Sequence, residues 1–176
     1  MTRIRLIEPA DAETLASLLA RDREFLLPWE PIRADAYFTA PGQQAEIRAL
    51  LEQHERGEVV PFVMLNDEER VVGRVTLNGI VRGPFQSCSV GYWLTRASRG
   101  RGLATFAVAA AVDHAFTEIG LHRVQAEVMP DNTASRRVLE RNRFSEYGYA
   151  PRYLQIAGSW EDHLMFQRLA DDPAVT

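Results

Sequence analysis

The sequence predicts a mixed α/β layer fold, and three observations carry that reading. Stretches with strand-like alternation interleave with stretches at helical spacing along the whole chain. Gly, Pro and Asn-Asp turn signals separate them, with no internal repeat, low-complexity run or linker. The order is strand, two helices, three antiparallel strands, helix, strand, helix, two strands. That makes about seven strands and about four helices in one layered unit.

Each element has its own signal. Ile4 and Leu6 read as a first strand, ended by Pro9 and Asp11, where Asp11 is a helix cap. Leu15, Leu18, Leu19, Asp22 and Leu26 follow helical spacing with one polar interruption, and Leu27-Pro28-Trp29-Glu30-Pro31 breaks that helix. A second helix is expected from about Gln43 to Arg56, with Ile47, Leu50, Leu51 and His54 on one face and Gly57 as its stop. Val59 to Leu65 and Val71 to Ile80 are strand-like around the turn Asn66-Asp67-Glu68-Glu69. Gly83-Pro84 leads into the strand Ser87–Leu94. The next helix carries Val108, Val112, Ala115, Phe116 and Ile119 on one stripe and ends at Gly120. Arg123 to Val128 is a strand, and Pro130-Asp131-Asn132 starts a short helix to about Asn142. A hairpin, Phe144 to Leu154 and Ser159 to Leu169, closes the unit.

Size and composition set the outer limits. The chain of 176 residues suits one domain, taken as residues 1–170, with 171–176 as a disordered tail. Cys88 is the single cysteine, which rules out an intramolecular disulfide framework, and its apolar surroundings favour a buried thiol. Met1-Thr2-Arg3-Ile4-Arg5 runs straight into a strand pattern, so no signal peptide is expected. No stretch is apolar for long enough to span a membrane, and a soluble cytoplasmic protein is the expectation. The net charge of −4 argues against nucleic acid as a main ligand. All 20 basic residues are Arg, so no lysine serves as Schiff-base former, base or autoacylation site. No His, Cys and carboxylate grouping has metal-ligand spacing, and no metal is expected. A monomer and a homodimer both fit the sequence.

The strongest chemical signal is Arg99-Gly100-Arg101-Gly102-Leu103-Ala104, between the apolar strand Ser89–Leu94 and an Ala-rich helix. The glycines let backbone approach an anion. The first helical N–H groups lack internal partners and point at it. Arg96, Arg99 and Arg101 add charge-assisted hydrogen bonds, about 1.5–3 kcal/mol each where well formed. The spacing is neither the dinucleotide fingerprint nor a P-loop, and alone it also fits an ordinary glycine turn. A second helix start, at Asn132, follows the Val124–Val128 strand. If that strand runs parallel to Tyr92-Trp93-Leu94, the right-handed crossover puts the helix on one face and lets the strand ends splay. An extended ligand then rests its diphosphate on the Gly102 helix start and pairs its amides with the strand edge. A pantetheine arm has such amides, which points to coenzyme A.

These residues resemble a known superfamily. Arg99-Gly100-Arg101-Gly102-Leu103-Ala104 resembles the acetyl-CoA motif of the GNAT N-acetyltransferases. Met129-Pro130-Asp131-Asn132-Thr133-Ala134-Ser135-Arg136-Arg137-Val138-Leu139-Glu140 is similar to that superfamily's later motif, and Gly91-Tyr92-Trp93-Leu94 also fits. Leu27-Pro28-Trp29-Glu30-Pro31, Tyr153-Leu154 and Gly158-Ser159-Trp160-Glu161-Asp162-His163 resemble the ribosomal-protein-alanine N-acetyltransferases of the RimJ/RimL type. The resemblance covers nearly the whole chain. It implies three layers around a twisted sheet with a V-shaped opening between the fourth and fifth strands. Acetyl-CoA lies in that opening, held by backbone groups of Trp93 and Leu94, by the amides from Arg99 through Gly100, Arg101, Gly102, Leu103 and Ala104 to Thr105, and by Asn132, with Ser135 nearby. Three departures stand out. Arg143 replaces the usual Gly before Phe144, Ser89 sits where relatives often carry Glu, and Leu139 sits where many members carry a Tyr general acid.

The implied reaction is direct attack of a primary amine on the acetyl thioester. A strand N–H near Trp93 or Leu94 stabilises the oxyanion, and Ser135 hydrogen-bonds the departing sulfur. Glu30, in a stiff loop between two prolines, is the first candidate for amine binding or proton removal, with Glu127 and Glu161 as alternatives. Trp29 beside it is expected to wall the acceptor groove, whereas Trp93 and Trp160 read as core and His163 as structural. An α-amino group has a pKa of about 7.7–8 against about 10.4 for lysine, so a site without a strong base suits a protein N-terminus, such as that of a ribosomal protein. A small amine, either an antibiotic or a polyamine, is the alternative acceptor. A catalytically silent acyl-CoA-binding module is the alternative of another class.

Overall fold

The computed structural model describes residues 3–172. Strands β1 (Arg3–Leu6), β2 (Val60–Leu65), β3 (Val71–Val81), β4 (Ser87–Leu94), β5 (Arg123–Val128), β6 (Ser145–Ile156) and β7 (Ser159–Leu169) form one sheet. Its seven strands run in the order β1-β2-β3-β4-β5-β7-β6. The helices are α1 (Ala12–Arg21), α2 (Arg23–Leu26), α3 (Ala40–Glu55), α4 (Leu103–Thr117) and α5 (Thr133–Arg141). The mixed α/β expectation holds, with five helices because the first predicted helix is broken in two.

Two apolar clusters flank the sheet. On one face α4 packs Ala107, Val108, Ala111, Val112 and Ala115 against Val75, Leu77, Val90, Val124 and Ala126, with Leu139 and Phe144 beside them. The small side chains of α4 bring its backbone close to the strands. On the other face Leu15, Leu19, Leu26 and Ile47 pack on Val63, Leu65 and Trp93. Each large buried aliphatic side chain contributes about 1.5–3 kcal/mol.

The pairing between β4 and β5 positions the site. It is the one parallel pair in the sheet, and its register partners are Ser87↔Arg123, Cys88↔Val124 and Ser89↔Gln125. Beyond these β4 continues against β3 as far as Leu94↔Gly73, and β5 continues against β7 as far as Val128↔Leu164. The two strands therefore part after Ser89 and Gln125, the V-shaped opening that the resemblance implies.

Several boundaries differ from expectation for identifiable reasons. The helix predicted through Leu26 breaks at Asp22, whose carboxylate turns inward to a distant loop. Helix α3 starts earlier than Gln43, because Thr39 Oγ1 accepts from Gly42 N at 3.2 Å and Pro41 suits the first turn. The segments Leu27–Trp29 and Asp35–Phe38 form 3₁₀ turns on either side of Pro31. In the expected tail, Asp172 accepts from Leu169 N at 2.9 Å, so Asp171 and Asp172 belong to a turn. Residues 173–176 lie outside the described residues, as do Met1 and Thr2. Among the described residues no helix is long and apolar enough to cross a membrane.

Candidate active site

A cleft of about 1070 Å³ opens where β4 and β5 part. Its walls are α2 and the Leu27–Trp29 turn, the end of β4, the loop before α4, and the starts of α4 and α5. It brings together Trp29, Glu30, Trp93, Leu94, Arg99, Gly100, Gly102, Leu103, Ala104, Thr105, Asn132 and Ser135. Arg101 does not line it and is exposed, and the alternative bases Glu127 and Glu161 lie outside it as well.

The β4 wall offers backbone groups in a fixed direction. Thr95 N donates to Val72 O at 2.9 Å. Antiparallel bonding alternates along a strand. With the β3–β4 register, Trp93 and Gly91 therefore bond toward β3, while Tyr92 and Leu94, beyond the last β4–β5 pair, turn N–H and C=O into the gap. This corrects the expectation for Trp93: its amide belongs to the sheet, and the gap-facing amides are those of Tyr92 and Leu94. The buried Trp93 indole Nε1–H, however, has no hydrogen-bond partner in the protein.

The start of α4 is the second wall. Gly100 and Gly102 have φ of 75° and 77°, left-handed values that a side chain would strain. Gly102 is the N-cap and brings no capping side chain. The first helical bond in this region runs from Phe106 N to Gly102 O at 3.0 Å. The amides of Leu103, Ala104 and Thr105 precede it and are left for a ligand. The start of α5 differs, because Asn132 Oδ1 accepts from Ser135 N at 3.1 Å. That oxygen is committed to the helix cap, which limits the cofactor contact expected of Asn132.

Long-range contacts hold the loop between these walls. Arg96 N donates to Asp22 Oδ2 at 2.7 Å, and Asp22 is only 7% exposed. Burial alone would push the Asp22 carboxyl up, but hydrogen bonds from Arg21 and Arg96 outweigh it and hold it below the usual range. The Arg99 guanidinium lies 5.2 Å from the centre of the Phe25 ring, on the cleft wall. Asn142 Nδ2 donates to Thr105 O at 3.1 Å and ties the end of α5 to the first turn of α4. Arg143 takes the left-handed turn expected of the usual glycine, with φ 59°, at a cost of about 1–2 kcal/mol. Sequence reading missed Arg137 and Arg141, which line the cleft from α5. Their i,i+4 spacing after Asn132 was the available signal.

The proton-handling groups occupy the other end. Glu30 is held through its carbonyl, which accepts from Ala157 N at 3.0 Å. Burial pushes its carboxyl above the ordinary range, against the opposing pull of Arg33 and Arg74. Trp29 beside it is 37% exposed on the cleft rim, but Trp160 is 61% exposed and is not the core residue expected. Ser135 Oγ lies 2.7 Å from Tyr92 Oη, a neighbour that sequence reading did not identify. Burial pushes the Tyr92 phenol up to about 12. Leu139 is fully buried at 0% exposure, so its place offers no acid. Ser89 Oγ donates to Glu127 Oε1 at 2.7 Å across the strands, and neither residue lines the cleft. His163 is buried with Nδ1 3.0 Å from the Glu161 carbonyl. The buried Cys88 thiol is pushed up to about 12 and is no nucleophile.

The cleft suits a ligand with both a diphosphate and an amide-bearing arm: bare helix amides at one wall, strand-edge amides at the other. Comparison with known proteins agrees. Residues 2–145 match the model of the acetyltransferase (GNAT) domain. The chain is 39% identical over 170 residues to the Bacillus subtilis protein named "Probable N-acetyltransferase YjcK", covering 96% of this chain and 94% of that one. It is 36% identical over 163 residues to the Escherichia coli [ribosomal protein uS5]-alanine N-acetyltransferase, covering 92% and 84% of the two chains. A solved structure of Mycobacterium smegmatis RimJ in complex with CoA-disulfide superposes with a TM-score of 0.93 at 32% identity, covering 97% of this chain and 83% of that one. The glycine-turn cleft, the parted strands and these matches together make the chain a member of the GNAT acetyltransferase family.

Proposed function

We propose that this acetyltransferase takes acetyl-CoA as donor and acetylates the N-terminal α-amine of a protein, such as a ribosomal protein. The observation that carries the donor is the parting of β4 and β5 beside an uncapped α4 start. Bound acetyl-CoA supplies the activated acetyl group as a thioester. The amides of Leu103, Ala104 and Thr105, with Arg99, hold its diphosphate, and the Tyr92 and Leu94 edge holds its arm. The Leu94 N–H is suited to polarise the carbonyl. One relative favours the acceptor, since the Escherichia coli enzyme is named for an alanine of uS5, and one favours the donor, since Mycobacterium smegmatis RimJ was solved in complex with a CoA-disulfide.

The proton-handling groups favour an α-amine over a lysine. At neutral pH roughly a tenth of an α-amine is already neutral, against well under about a thousandth of a lysine amine. Glu30, raised by burial, is a base suited to the small remaining task of taking the proton. Rates are to be compared on a peptide with a free α-amine, its Nα-blocked lysine-bearing twin, and a panel of small amines including polyamines. The free α-amine peptide should be fastest. Preference for the blocked twin or a polyamine overturns the acceptor assignment, and no thiol release with any amine leaves a binding module.

The same assay tests Glu30. The rate should rise with pH as Glu30 loses its proton, at a pH above that of an ordinary carboxylate, and Glu30→Gln should remove that limb. The folded protein holds this proton more tightly than the unfolded chain, so ionisation costs stability as pH rises. Glu30→Gln should therefore lose activity at neutral pH without a lower Tm.

A further inference from the structure

We propose that Tyr92 is a positioning residue that aims the Ser135 hydroxyl into the cleft, where it stabilises the departing thiolate. The proposal rests on acetyl-CoA being the donor. It concerns the position left open by Leu139, which is fully buried and carries no hydroxyl.

Three observations support it. Tyr92 and Ser135 both line the cleft, although they come from different elements, β4 and α5. Their oxygens are 2.7 Å apart, an ordinary hydroxyl hydrogen-bond distance. Tyr92 Oη also lies 3.3 Å from the Ser135 carbonyl, a longer and weaker alternative. That carbonyl sits inside α5, where the helical ladder supplies the Leu139 N–H. The phenol has one hydrogen, and Ser135 Oγ is the better acceptor for it.

The direction of this bond decides what Ser135 can do. An unassisted serine on a helix tends to bond back to a carbonyl of the preceding turn. When the Tyr92 phenol donates to Ser135 Oγ, one of the two oxygen lone pairs is occupied and the serine hydrogen is turned toward the cleft. During transfer the amine nitrogen bonds to the acetyl carbon and the carbon–sulfur bond breaks. The electron pair passes to sulfur, and the amine proton goes to the base and finally neutralises the thiolate. The developing negative charge on sulfur accepts the Ser135 hydrogen bond. That bond is polarised by the one behind it. The phenol, pushed up to about 12 by burial, stays protonated and remains a donor throughout the working range.

The test uses Tyr92→Phe, Ser135→Ala and the double variant. Tyr92→Phe keeps the ring and removes only the hydroxyl, and Tm reports whether the fold survives. It should lower kcat about 10-fold with both KM values within about twofold. The double variant should be no slower than Ser135→Ala by more than about twofold. A second readout is independent of turnover. At about pH 9, where a free thiol of pKa about 8.5 is largely ionised, wild type should bind CoA more tightly than desulfo-CoA. Tyr92→Phe should shrink that difference at least about fivefold and leave desulfo-CoA affinity unchanged. Additive rate losses, equal weakening of CoA and desulfo-CoA, or wild-type behaviour of Tyr92→Phe overturn the proposal. Failure of the wild type to bind either compound overturns the donor assignment instead, and this proposal with it.

Discussion

Two helices begin at the same cleft, and their first turns are finished in opposite ways. Helix α5 closes its own start, because Asn132 accepts the Ser135 N–H. Helix α4 begins at Gly102, a left-handed residue with no side chain to offer, so its first amides stay bare. Both starts carry the positive end of a helix dipole. The lesson is that the dipole does not choose the anion site. The missing cap chooses it, because at α4 no side chain takes any first-turn N–H, whereas at α5 Asn132 takes one.

Changing one wall at a time sharpens this contrast. The largest effect is expected for Ala104→Glu. A carboxylate in the first turn of α4 complements the dipole by about 0.3–1 kcal/mol, so Tm should hold or rise. The same charge repels a diphosphate at close range, so the calorimetric Kd for CoA should rise about 100-fold or more. Loss of Tm together with little change in Kd would erase the contrast. Next comes Arg99→Ala, which removes a charged contact from the cleft wall and should weaken CoA about 10-fold or somewhat more. A control with pantetheine, which lacks the diphosphate, should show no such loss.

Gly102→Ala probes the geometry rather than the charge. No heavy atom lies within 4 Å of the added Cβ, so the cost is left-handed strain alone, about 1–2 kcal/mol. Tm should fall by about 2–4 °C per kcal/mol, and CoA binding should weaken a few-fold as the amides lose their aim. The smallest ligand effect is expected for Asn132→Ala. Losing the α5 cap costs about 1 kcal/mol of stability, while CoA affinity should stay within about threefold. A loss of affinity at Asn132 as large as at Ala104 would mean that the two starts share the anion.

What could be read from the residues alone follows from how local each signal is. The Gly100 and Gly102 turn, the Asn132 cap and the order of strands depend on neighbours within a turn or a hairpin, and all were legible. The left-handed residue at Arg143 was not, because an arginine in the usual glycine's place argues against that strained conformation. The parting of β4 from β5 was legible as a possibility, but not where it begins, since that point is set by the register between strands far apart in sequence. Asp22 read as a polar interruption of an apolar stripe. Its reason, the Arg96 amide, lies 74 residues away. Tyr92 read as one more apolar strand residue, because its partner Ser135 is 43 residues on. Arg137 and Arg141 were not singled out, because only the packing of α5 beside α4 turns them into the cleft.

A crystal structure of the complex with acetyl-CoA would decide the assignment of the two walls. The diphosphate oxygens should lie within hydrogen-bond distance of the Leu103, Ala104 and Thr105 amides, with the pantetheine amides paired to Tyr92 and Leu94. Phosphates seated on the α5 start, or an arm lying outside the gap between β4 and β5, would contradict it.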